Sequence, residues 1–359
     1  MSLESVGAFA PGRVNLIGEH TDYNHGLALP FAISHGVTVH ARASGEERIL
    51  ARTLDRGERD EFALADPQGA TGWRAYVRGV VAELRRAGHS LVGAELEIGG
   101  DLQQGAGLSS SAALEVALCL ALLALAGEAG TDRVGLARLC SRVESDWVGA
   151  HTGMLDQLAC LYGAPGMAMF IDFQTLEVEP VPLRLEGGWR LVTLDSGERH
   201  ENASSAYNLR RSECSEACEL LDVDSLREAS PDALEGLPER LRRRVLHVLS
   251  ENERVNRTVG ALRADDLPTV GRLLNASHAS LRDQYEISTP AVEATVKRLL
   301  QAGAAGARIV GGGFGGHVLG LLTPSAHAPE GALEVRAYVG AHLLDPTAMP
   351  AVSERSKVS

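Results

Sequence analysis

The spacing of hydrophobic and polar residues predicts strands in the first hundred residues, with one helix among them. Residues 6–10 are mostly apolar, and the second half of residues 27–43 alternates apolar with polar side chains, which is typical of strands. Residues 71–87 instead repeat their apolar positions at helical spacing, and residues 91–98 return to alternation. We therefore predict two strands, a helix and a further strand, in this order.

The remainder of the chain is predicted to continue with helices and then to return to strands. The predicted elements are helices at 110–126 and 131–148, strands at 167–173 and 189–195, a helical stretch at 204–302 with breaks near Pro231, Pro268 and Pro290, and strands on either side of a glycine-rich turn at 311–316. Strands, then helices, then strands favour an α+β fold over a doubly wound sheet. The segment EGG at 186–188 predicts a hinge, so we expect two domains, residues 1–186 and 187–359.

Charge and hydropathy exclude two classes of partner. The 359 residues carry a net charge of −13 without an evident basic face, which argues against nucleic-acid binding. The most apolar stretch, residues 112–127, is interrupted by Glu115 and is short for a membrane span. The N-terminus lacks the basic start and apolar run of a signal peptide. We therefore expect a cytoplasmic protein that binds neither nucleic acid nor membrane.

The numbers and positions of the cysteines and lysines argue against further kinds of chemistry. The five cysteines are scattered and form no metal-binding pattern, which is typical of buried free thiols in a reducing compartment. The chain has only two lysines, Lys297 and Lys357, and both lie far in sequence from the glycine-rich segments described next. Lysine-based phosphate binding and Schiff-base chemistry are therefore not expected.

The stretch QQGAGLSSSAALEVA, residues 103–117, has the character of a phosphate-binding loop without its lysine. Glycines lead through Ser109, Ser110 and Ser111 into an apolar helix, whose first backbone N–H groups are unpaired and favour an anion. The alternative is a plain helix cap at Ser109 or Ser110, although no capping box strengthens it. Three consecutive hydroxyls exceed what a cap requires, and a serine could bind Mg²⁺ while backbone N–H groups hold a phosphate.

The densest group of polar residues lies in APGRVNLIGEHTDYNHG, residues 10–26. Its charged and polar positions are Arg13, Asn15, Glu19, His20, Asp22 and Tyr23. Carboxylates accept hydrogen bonds from vicinal hydroxyls, and arginine donates in a fork to phosphate or carboxylate oxygens. The cluster therefore suits a polyhydroxylated ligand, and a solvated loop with a surface salt bridge is the alternative.

Two further segments carry candidate chemistry. GGGFGG at 311–316 has five glycines in six positions between apolar strands, which indicates a backbone brought close to another group; a wide hairpin turn is the alternative. VESDWVGAHTGMLDQ at 143–157 contains Glu144, His151, Asp156 and Gln157. Asp156 has apolar neighbours on both sides, and a carboxylate in such a setting needs a partner or a function.

Together these segments resemble the GHMP small-molecule kinases, and among them the galactokinases. GRVNLIGEHTDYN at 12–24 is similar to the galactokinase signature, GAGLSSSAALEVA to the family's phosphate motif, and RIVGGGFGGHV to its C-terminal motif. VGAHTGMLDQ and LRDQYEIS, at 281–288, also resemble galactokinase segments. The resemblance implies an N-terminal half like the second domain of ribosomal protein S5, a ferredoxin-like C-terminal half, and an active site in the cleft between them.

The resemblance also implies a role for each matching residue. Asp156 would face the anomeric hydroxyl of the sugar as a base or an electrostatic orienter, and Arg13 would lower the pKa of Asp156 and stabilise charge on the transferring phosphoryl group. The residues that would hold sugar hydroxyls are Glu19, His20, Asp22, Gly153 and Tyr207. Gly105, Gly107, Leu108, Ser109, Ser110 and Ser111 would cradle ATP. Mg²⁺ would be held by Glu144 and Ser111, with Ser110 assisting.

The implied reaction converts ATP and α-D-galactose to α-D-galactose 1-phosphate and ADP, by a monomer or weak homodimer. One alternative is another sugar-1-kinase of the family, acting on N-acetylgalactosamine, arabinose or a uronic acid. A second is a galactose sensor that binds both ligands without catalysis. Because the serine motif, Arg13, Glu144 and Asp156 are all present, the catalytic reading is favoured over the sensor.

Overall fold

The computed structural model describes residues 4–102, 107–128, 132–198 and 203–345, and within them the fold is α+β, as predicted. The strands are β1 (Ser5–Asn15), β2 (Leu27–Ala28), β3 (Pro30–Ala43), β4 (Arg48–Thr53), β5 (Arg59–Ala63), β6 (Ala94–Gly100), β7 (Met167–Asp172), β8 (Glu177–Pro182), β9 (Arg190–Asp195), β10 (Ala304–Ile309), β11 (His317–Leu322), β12 (Leu333–Val335) and β13 (His342–Leu343). The helices are α1 (Trp73–Arg86), α2 (Ser110–Leu125), α3 (Arg133–Arg142), α4 (Leu155–Tyr162), α5 (Ala203–Leu221), α6 (Glu239–Arg263), α7 (Leu267–Asp283) and α8 (Pro290–Gln301). The predicted phosphate-loop residue Gly105 lies outside the described residues.

The N-terminal half is built on a six-stranded sheet in the order β13-β1-β3-β6-β4-β5. The long strands β1 and β3 pair antiparallel, with Ala8 opposite Val39. Strand β4 runs parallel to β6, which is reached through β5 and α1. The inward-facing residues of these strands pack against α1, α2, α3 and α4, so that the alternation seen in the sequence corresponds to one covered face of the sheet.

The C-terminal half combines four helices with a four-stranded antiparallel sheet in the order β10-β11-β9-β12. Helices α7 and α8 pack on β10, and α5 packs on α6. Their apolar positions form a separate buried cluster that includes Val245, Leu281, Tyr285 and Ile309. A third sheet joins β2, from the segment between β1 and β3, to β7 and β8, which follow the first sheet's helices along the chain.

The paired ends of β1 and β3 extend beyond the other strands of the first sheet and connect the two halves. At this end, Val14, Phe31 and Ile33 share a buried cluster with Val255 and Leu262 of α6. Near the end of the described chain, β13 returns to pair with β1. The proposed boundary at residues 186 and 187 falls between β8 and β9 and stays a prediction. Arg13, next to Val14 on β1, therefore lies where the two halves meet.

The predicted elements agree with the observed ones in type, with differences at their ends. The predicted helix at 131–148 is divided into α3 and a π-helical turn at Val143–Val148. Pro268 and Pro290 stand in the first turns of α7 and α8, where a missing N–H costs no hydrogen bond. The elements that were not predicted are β4, β5, α4, β8, β12 and β13.

The state of the cysteines and the apolar character of the helices can be described directly. All five cysteines are free, and four of them are buried. In the part of the chain that the structure describes, no helix combines the length and the apolar character needed to cross a bilayer.

Candidate active site

The centre of the site is an ion pair between Arg13 and Asp156, which are 143 positions apart in the sequence. The Arg13 guanidinium donates from Nε to Asp156 Oδ1 at 2.7 Å, and its Nη2 lies 2.6 Å from the same oxygen. Burial disfavours the charge on Arg13, but the carboxylates of Asp156 and Glu19 outweigh it and raise the pKa of Arg13 above its usual value. Asp156 stands in the first turn of α4, where the helix dipole favours a negative charge.

The serine loop is held against this pair by main-chain contacts. Arg13 donates from Nη1 to the carbonyl oxygen of Gly107 at 2.7 Å, and its backbone N–H donates to Leu108 O at 3.2 Å. Gly12 permits this approach, since a Cβ at that position would lie 2.6 Å from Leu108 O. Ser109 donates its hydroxyl to Asp156 Oδ2 at 2.5 Å. Both oxygens of Asp156 are therefore held by fixed donors.

The geometry of Ser109 argues against the helix-cap alternative at this position. Ser109 is the residue before α2 and has a left-handed backbone with φ of 61°, and its side chain makes no capping hydrogen bond. The hydroxyl is turned to Asp156 instead. Ser110 and Ser111 begin the helix and line the same cavity as Ser109.

Glu144 lies behind Ser111, in the π-helical turn. Its Oε1 accepts a hydrogen bond from Ser111 Oγ at 2.9 Å, and its Oε2 accepts one from the hydroxyl of Thr152. The side chain is almost completely buried, and this burial raises the pKa of the Glu144 carboxyl despite the two hydrogen bonds. π-Helical turns are frequent at functional sites, and this one directs a carboxylate to the start of α2.

The Ser111 and Glu144 pair suits a magnesium ion. Mg²⁺ prefers hard oxygen ligands and commonly takes only one or two of them from the protein, with the rest supplied by phosphates and water. A buried carboxylate that faces a hydroxyl, with no ion pair to any cation among the residues that the structure describes, is the donor set that such an ion would complete. Within the described ranges no group of three or more His, Cys, Asp or Glu side chains forms a metal site, so a closed protein cage is not observed there.

The loop between β1 and β2 carries three of the predicted sugar ligands, and α6 of the other half holds it in place. Gly18 donates its N–H to Glu251 Oε1 at 3.0 Å, and Leu27 donates its N–H to Asn252 Oδ1 at 2.8 Å. His247 contacts the carbonyl oxygen of Glu19 through Nε2 at 3.1 Å. The conformation of this loop therefore depends on residues from both halves.

Within this loop, the Glu19 carboxylate is fixed from the C-terminal half. It accepts the backbone N–H of Gly311 at 2.8 Å and lies 3.4 Å from a guanidinium nitrogen of Arg308. Arg308 is completely buried and also donates to the carbonyl oxygens of Asn15 and Leu16. Burial raises the pKa of Glu19, and the Arg308 and Arg13 charges oppose that shift.

Asp22 packs directly against Gly153. A Cβ added to Gly153 would lie 2.0 Å from Asp22 Oδ2, so only glycine allows this approach. Burial raises the pKa of Asp22 to about 7, and the nearby Asp156 carboxylate acts in the same direction. The aromatic ring of Tyr207 lies beside the ring of His20, with 5.1 Å between their centroids.

The Arg13–Asp156 pair is shared by two cavities. The first has a volume of about 410 Å³ and is lined by all five predicted sugar ligands. The second, of about 400 Å³, is lined by Ser109, Ser110 and Ser111. Arg13, Gly107 and Asp156 belong to both walls. Of the other predicted residues that the structure describes, Leu108 contributes its backbone to the contact with Arg13, and Glu144 lies behind Ser111.

The glycine-rich turn is both a hairpin connection and a wall of the two cavities. Gly311, Gly313, Gly315 and Gly316 all have positive φ angles, so the turn needs backbone that other residues rarely adopt. Gly311 and Gly312 line both cavities. The segment GGGFGG is therefore a hairpin turn and also a backbone that lies close to other groups, so both interpretations apply.

Several residues of the site were not predicted from the sequence. Trp73 and Tyr76 of α1 line the second cavity, one helical turn apart. Their spacing in a chain with only 4% aromatic residues is a signal that could have identified them. Arg308 gives no such signal, because nothing local distinguishes a buried arginine from an exposed one.

Comparisons with known proteins agree with this geometry. Residues 2–43 match the galactokinase galactose-binding signature, residues 75–164 the N-terminal domain of GHMP kinases, and residues 258–341 their C-terminal domain. A galactokinase of Thermotoga maritima is 42% identical over 88% of this chain and 89% of its own length. A galactokinase of Streptomyces coelicolor is 42% identical over 87% of this chain and 83% of its own length.

Solved structures extend the comparison to three dimensions. The crystal structure of Lactococcus lactis galactokinase complexed with galactose matches with a TM-score of 0.88 and 32% identity, over 96% of both chains. A mevalonate kinase matches with a TM-score of 0.64 and 16% identity, over 93% of this chain and 98% of its own, and shares the fold. The chain belongs to the galactokinase family of GHMP kinases.

Proposed function

We propose that the protein transfers the γ-phosphoryl group of ATP to the anomeric hydroxyl of α-D-galactose, giving α-D-galactose 1-phosphate and ADP. The observation that carries this proposal is the position of the Arg13–Asp156 pair in the common wall of two cavities. One cavity is rich in groups that bind hydroxyls, and the other faces the start of a helix with three serines. A hydroxyl in the first and a phosphate in the second would meet at this pair.

Asp156 would receive or orient the proton of the attacking hydroxyl. Phosphoryl transfer needs little covalent assistance, and positioning with charge neutralisation supplies most of the rate. Arg13 keeps a positive charge beside Asp156, where negative charge would develop on the transferring phosphoryl group. The Ser109 hydroxyl fixes the second carboxylate oxygen, so the carboxylate cannot rotate away from the substrate.

The second cavity is proposed to bind the phosphates of ATP. Gly105 and the residues from Gly107 to Ser111 would contribute backbone N–H groups and hydroxyls at the start of α2, where the dipole favours an anion. Ser111 and Glu144 would hold Mg²⁺, and Ser110 is the second candidate serine. The ion would neutralise phosphate charge when bound, a task that the P-loop lysine shares in other kinases.

The first cavity is proposed to bind the sugar. Glu19 and Asp22 would accept hydrogen bonds from hydroxyl groups, while His20 and Tyr207 would contribute polar atoms and ring surface. Gly153 leaves room for the Asp22 carboxylate. We further propose a cytoplasmic protein, monomeric or weakly dimeric, with a small-molecule substrate and the domain boundary given above.

The pKa of Asp22 leads to a prediction for galactose binding. With a pKa of about 7, the ionised fraction of Asp22 falls from about nine-tenths at pH 8 to about one-tenth at pH 6. Only the ionised carboxylate accepts hydrogen bonds at both oxygens. We expect the KM for galactose to be about tenfold higher at pH 6 than at pH 8, measured by ADP release at saturating ATP.

The Asp22→Asn variant is the control for this prediction. It should bind galactose weakly and lose the dependence of the galactose KM on pH between 6 and 8. Since the pKa is higher in the folded than in the unfolded protein, ionisation of Asp22 costs stability as the pH rises from about 4 through about 7. Asp22→Asn should therefore raise the Tm at pH 8 by about 2–4 °C. A galactose KM that is flat in the wild type would contradict the assignment.

The substrate is tested by ADP release over a panel of monosaccharides. Galactose, N-acetylgalactosamine, arabinose and glucuronic acid are each offered with Mg·ATP, and with ATP plus EDTA. We expect the highest kcat/KM for galactose and little ADP release with EDTA, because the buried Glu144 and Ser111 oxygens would hold Mg²⁺.

Each other outcome of this assay has a defined meaning. A sugar that ranks above galactose would overturn the substrate but leave a kinase. Binding of galactose and ATP without ADP release would support the sensor instead. Undiminished activity in EDTA would remove the metal site from the proposal.

A further inference from the structure

A closed ring of hydrogen bonds begins and ends on His20, at the edge of the first cavity. His20 Nδ1 lies 2.7 Å from the hydroxyl of Tyr23, which lies 3.0 Å from the hydroxyl of Tyr285. The Tyr285 hydroxyl lies 3.0 Å from Cys214 Sγ. Asn24 closes the ring, because its Nδ2 lies 3.7 Å from that sulfur and 2.8 Å from the carbonyl oxygen of His20.

The direction of every hydrogen bond in the ring follows from the chemistry of its ends. His20 Nε2 lies 3.2 Å from the carbonyl oxygen of Gly312, which can only accept, so Nε2 carries the proton. Burial lowers the pKa of His20 to about 3, so Nδ1 is unprotonated and accepts from Tyr23. The Tyr23 oxygen then accepts from Tyr285, and Tyr285 accepts from the Cys214 thiol.

The last bond of the ring agrees with this direction. Asn24 Nδ2 has two protons, and one is donated to the carbonyl oxygen of His20 while the other points to the Cys214 sulfur. The sulfur accepts there and donates its own proton to Tyr285. Every hydrogen bond of the ring thus joins one proton to one acceptor, and no two donors face each other.

Water does not reach most of this ring. Tyr285 is completely buried, and His20, Asn24 and Cys214 are each buried to 97% or more. The imidazole of His20 is packed against the ring of Tyr285, with 4.7 Å between their centroids. A buried hydroxyl or thiol that loses its partner has no replacement, which makes each bond costly to remove.

The ring joins segments that are distant in the sequence. Tyr23 and Asn24 belong to a short 3₁₀ turn after β1, Cys214 to α5, and Tyr285 to the segment after α7. His20 in turn forms a hydrogen bond with the carbonyl oxygen of Gly312 in the glycine-rich turn. In the segment HTDYN, His20, Tyr23 and Asn24 thus belong to the ring, while Asp22 faces Gly153.

We propose that Tyr23, Tyr285 and Cys214 are positioning residues that hold His20 as the neutral tautomer with its proton on Nε2. In this form His20 donates its single N–H to the carbonyl of Gly312, and its imidazole is fixed as part of the wall of the first cavity. The inference rests on the proposed function for the ligand that this wall would contact, galactose. The tautomer of the His20 imidazole depends on the Gly312 carbonyl and on the hydrogen bonds of this ring, and does not depend on which reaction the protein catalyses.

The experiment compares Tyr285→Phe and Cys214→Ala with the control Cys218→Ala, which makes the same substitution one turn further along α5. Histidines labelled with ¹⁵N report which ring nitrogen carries the proton, and the His20→Gln spectrum assigns the signal among the 12 histidines. We expect wild type and Cys218→Ala to show the proton on Nε2 of His20. In Tyr285→Phe and Cys214→Ala, the signal should move toward a mixture of tautomers.

Kinetics provide the second readout. Tyr285→Phe and Cys214→Ala should raise the KM for galactose about fivefold, with the KM for ATP changed by less than about twofold. Cys214→Ser keeps a donor and an acceptor in the ring and should restore most of the loss. A merely structural role would raise both KM values together, or would give the same result for serine and alanine.

The outcomes separate this inference from the proposed function. An unchanged His20 tautomer in both variants overturns the positioning role, whether or not the enzyme phosphorylates galactose. A shifted tautomer in a protein that does not phosphorylate galactose would retain the positioning role and reject the function. If Tyr285→Phe does not fold, Cys214→Ala with its Cys218→Ala control decides between these outcomes.

Discussion

Replacement of Asp156 by asparagine is expected to lower kcat by at least about 100-fold in a protein that remains folded. Asparagine has the same shape, and its Oδ1 can still accept from the Arg13 guanidinium, while the amide can donate to Ser109. What is lost is the negative charge that receives or orients the proton of the sugar hydroxyl. The measurement is ADP release at saturating galactose and ATP.

The matched control is Asp146→Asn, at an exposed carboxylate in the neighbouring π-helical turn. It should keep kcat within about twofold of wild type, as most surface substitutions do. Galactose binding by Asp156→Asn, followed by calorimetry, should persist, because the other sugar contacts are intact. A kcat within about threefold of wild type would remove Asp156 from the chemistry.

Replacement of Arg13 by lysine is expected to lower kcat/KM by about 100-fold, although the positive charge is kept. Arg13 donates to Asp156 and to the Gly107 carbonyl from different nitrogens of one rigid guanidinium. A lysine ammonium is a single point and cannot reach both partners with the same geometry. Misplacement of either partner shifts the carboxylate or the serine loop relative to the reacting groups.

Arg42→Lys serves as the control, since Arg42 forms an exposed ion pair with Glu95 on the sheet and such pairs contribute little. It should change kcat/KM by less than about twofold. Arg13→Ala should be worse than Arg13→Lys and should also destabilise the protein, because Asp156 then loses its guanidinium partner. Equal activity of Arg13→Lys and wild type would show that charge alone suffices.

Much of the fold was accessible from the sequence because it depends on local patterns. The alternation in residues 27–43 predicted β3, and the helical spacing in residues 71–87 predicted α1. The strands β4 and β5 were missed because their edge hairpin is rich in charged side chains and buries few residues. Helix α4 was missed because eight mostly apolar residues fit a strand as well as a helix.

The residues of the candidate site also divide into those that local patterns indicate and those that they do not. Arg13, Glu19, Asp22 and the serines could be named because they are concentrated in short polar segments with several glycines. The contacts of Arg308, Tyr285 and Cys214 could not be predicted, since a strand, the segment after α7 and a helix do not indicate which distant groups these side chains meet. Their importance arises from complete or nearly complete burial beside groups from distant segments.

Local patterns in the sequence determined the α+β class, the order of most elements and the four glycine-rich or polar segments that form the site. They did so because side-chain periodicity and backbone conformation are properties of neighbouring residues. Only the tertiary structure decided that Arg13 meets Asp156, that Ser109 turns from its helix to the same carboxylate, and that His20 is held by a ring of hydrogen bonds. Those contacts depend on how β1, α2, α4 and α5 pack together, and packing over such separations leaves no local pattern in the chain.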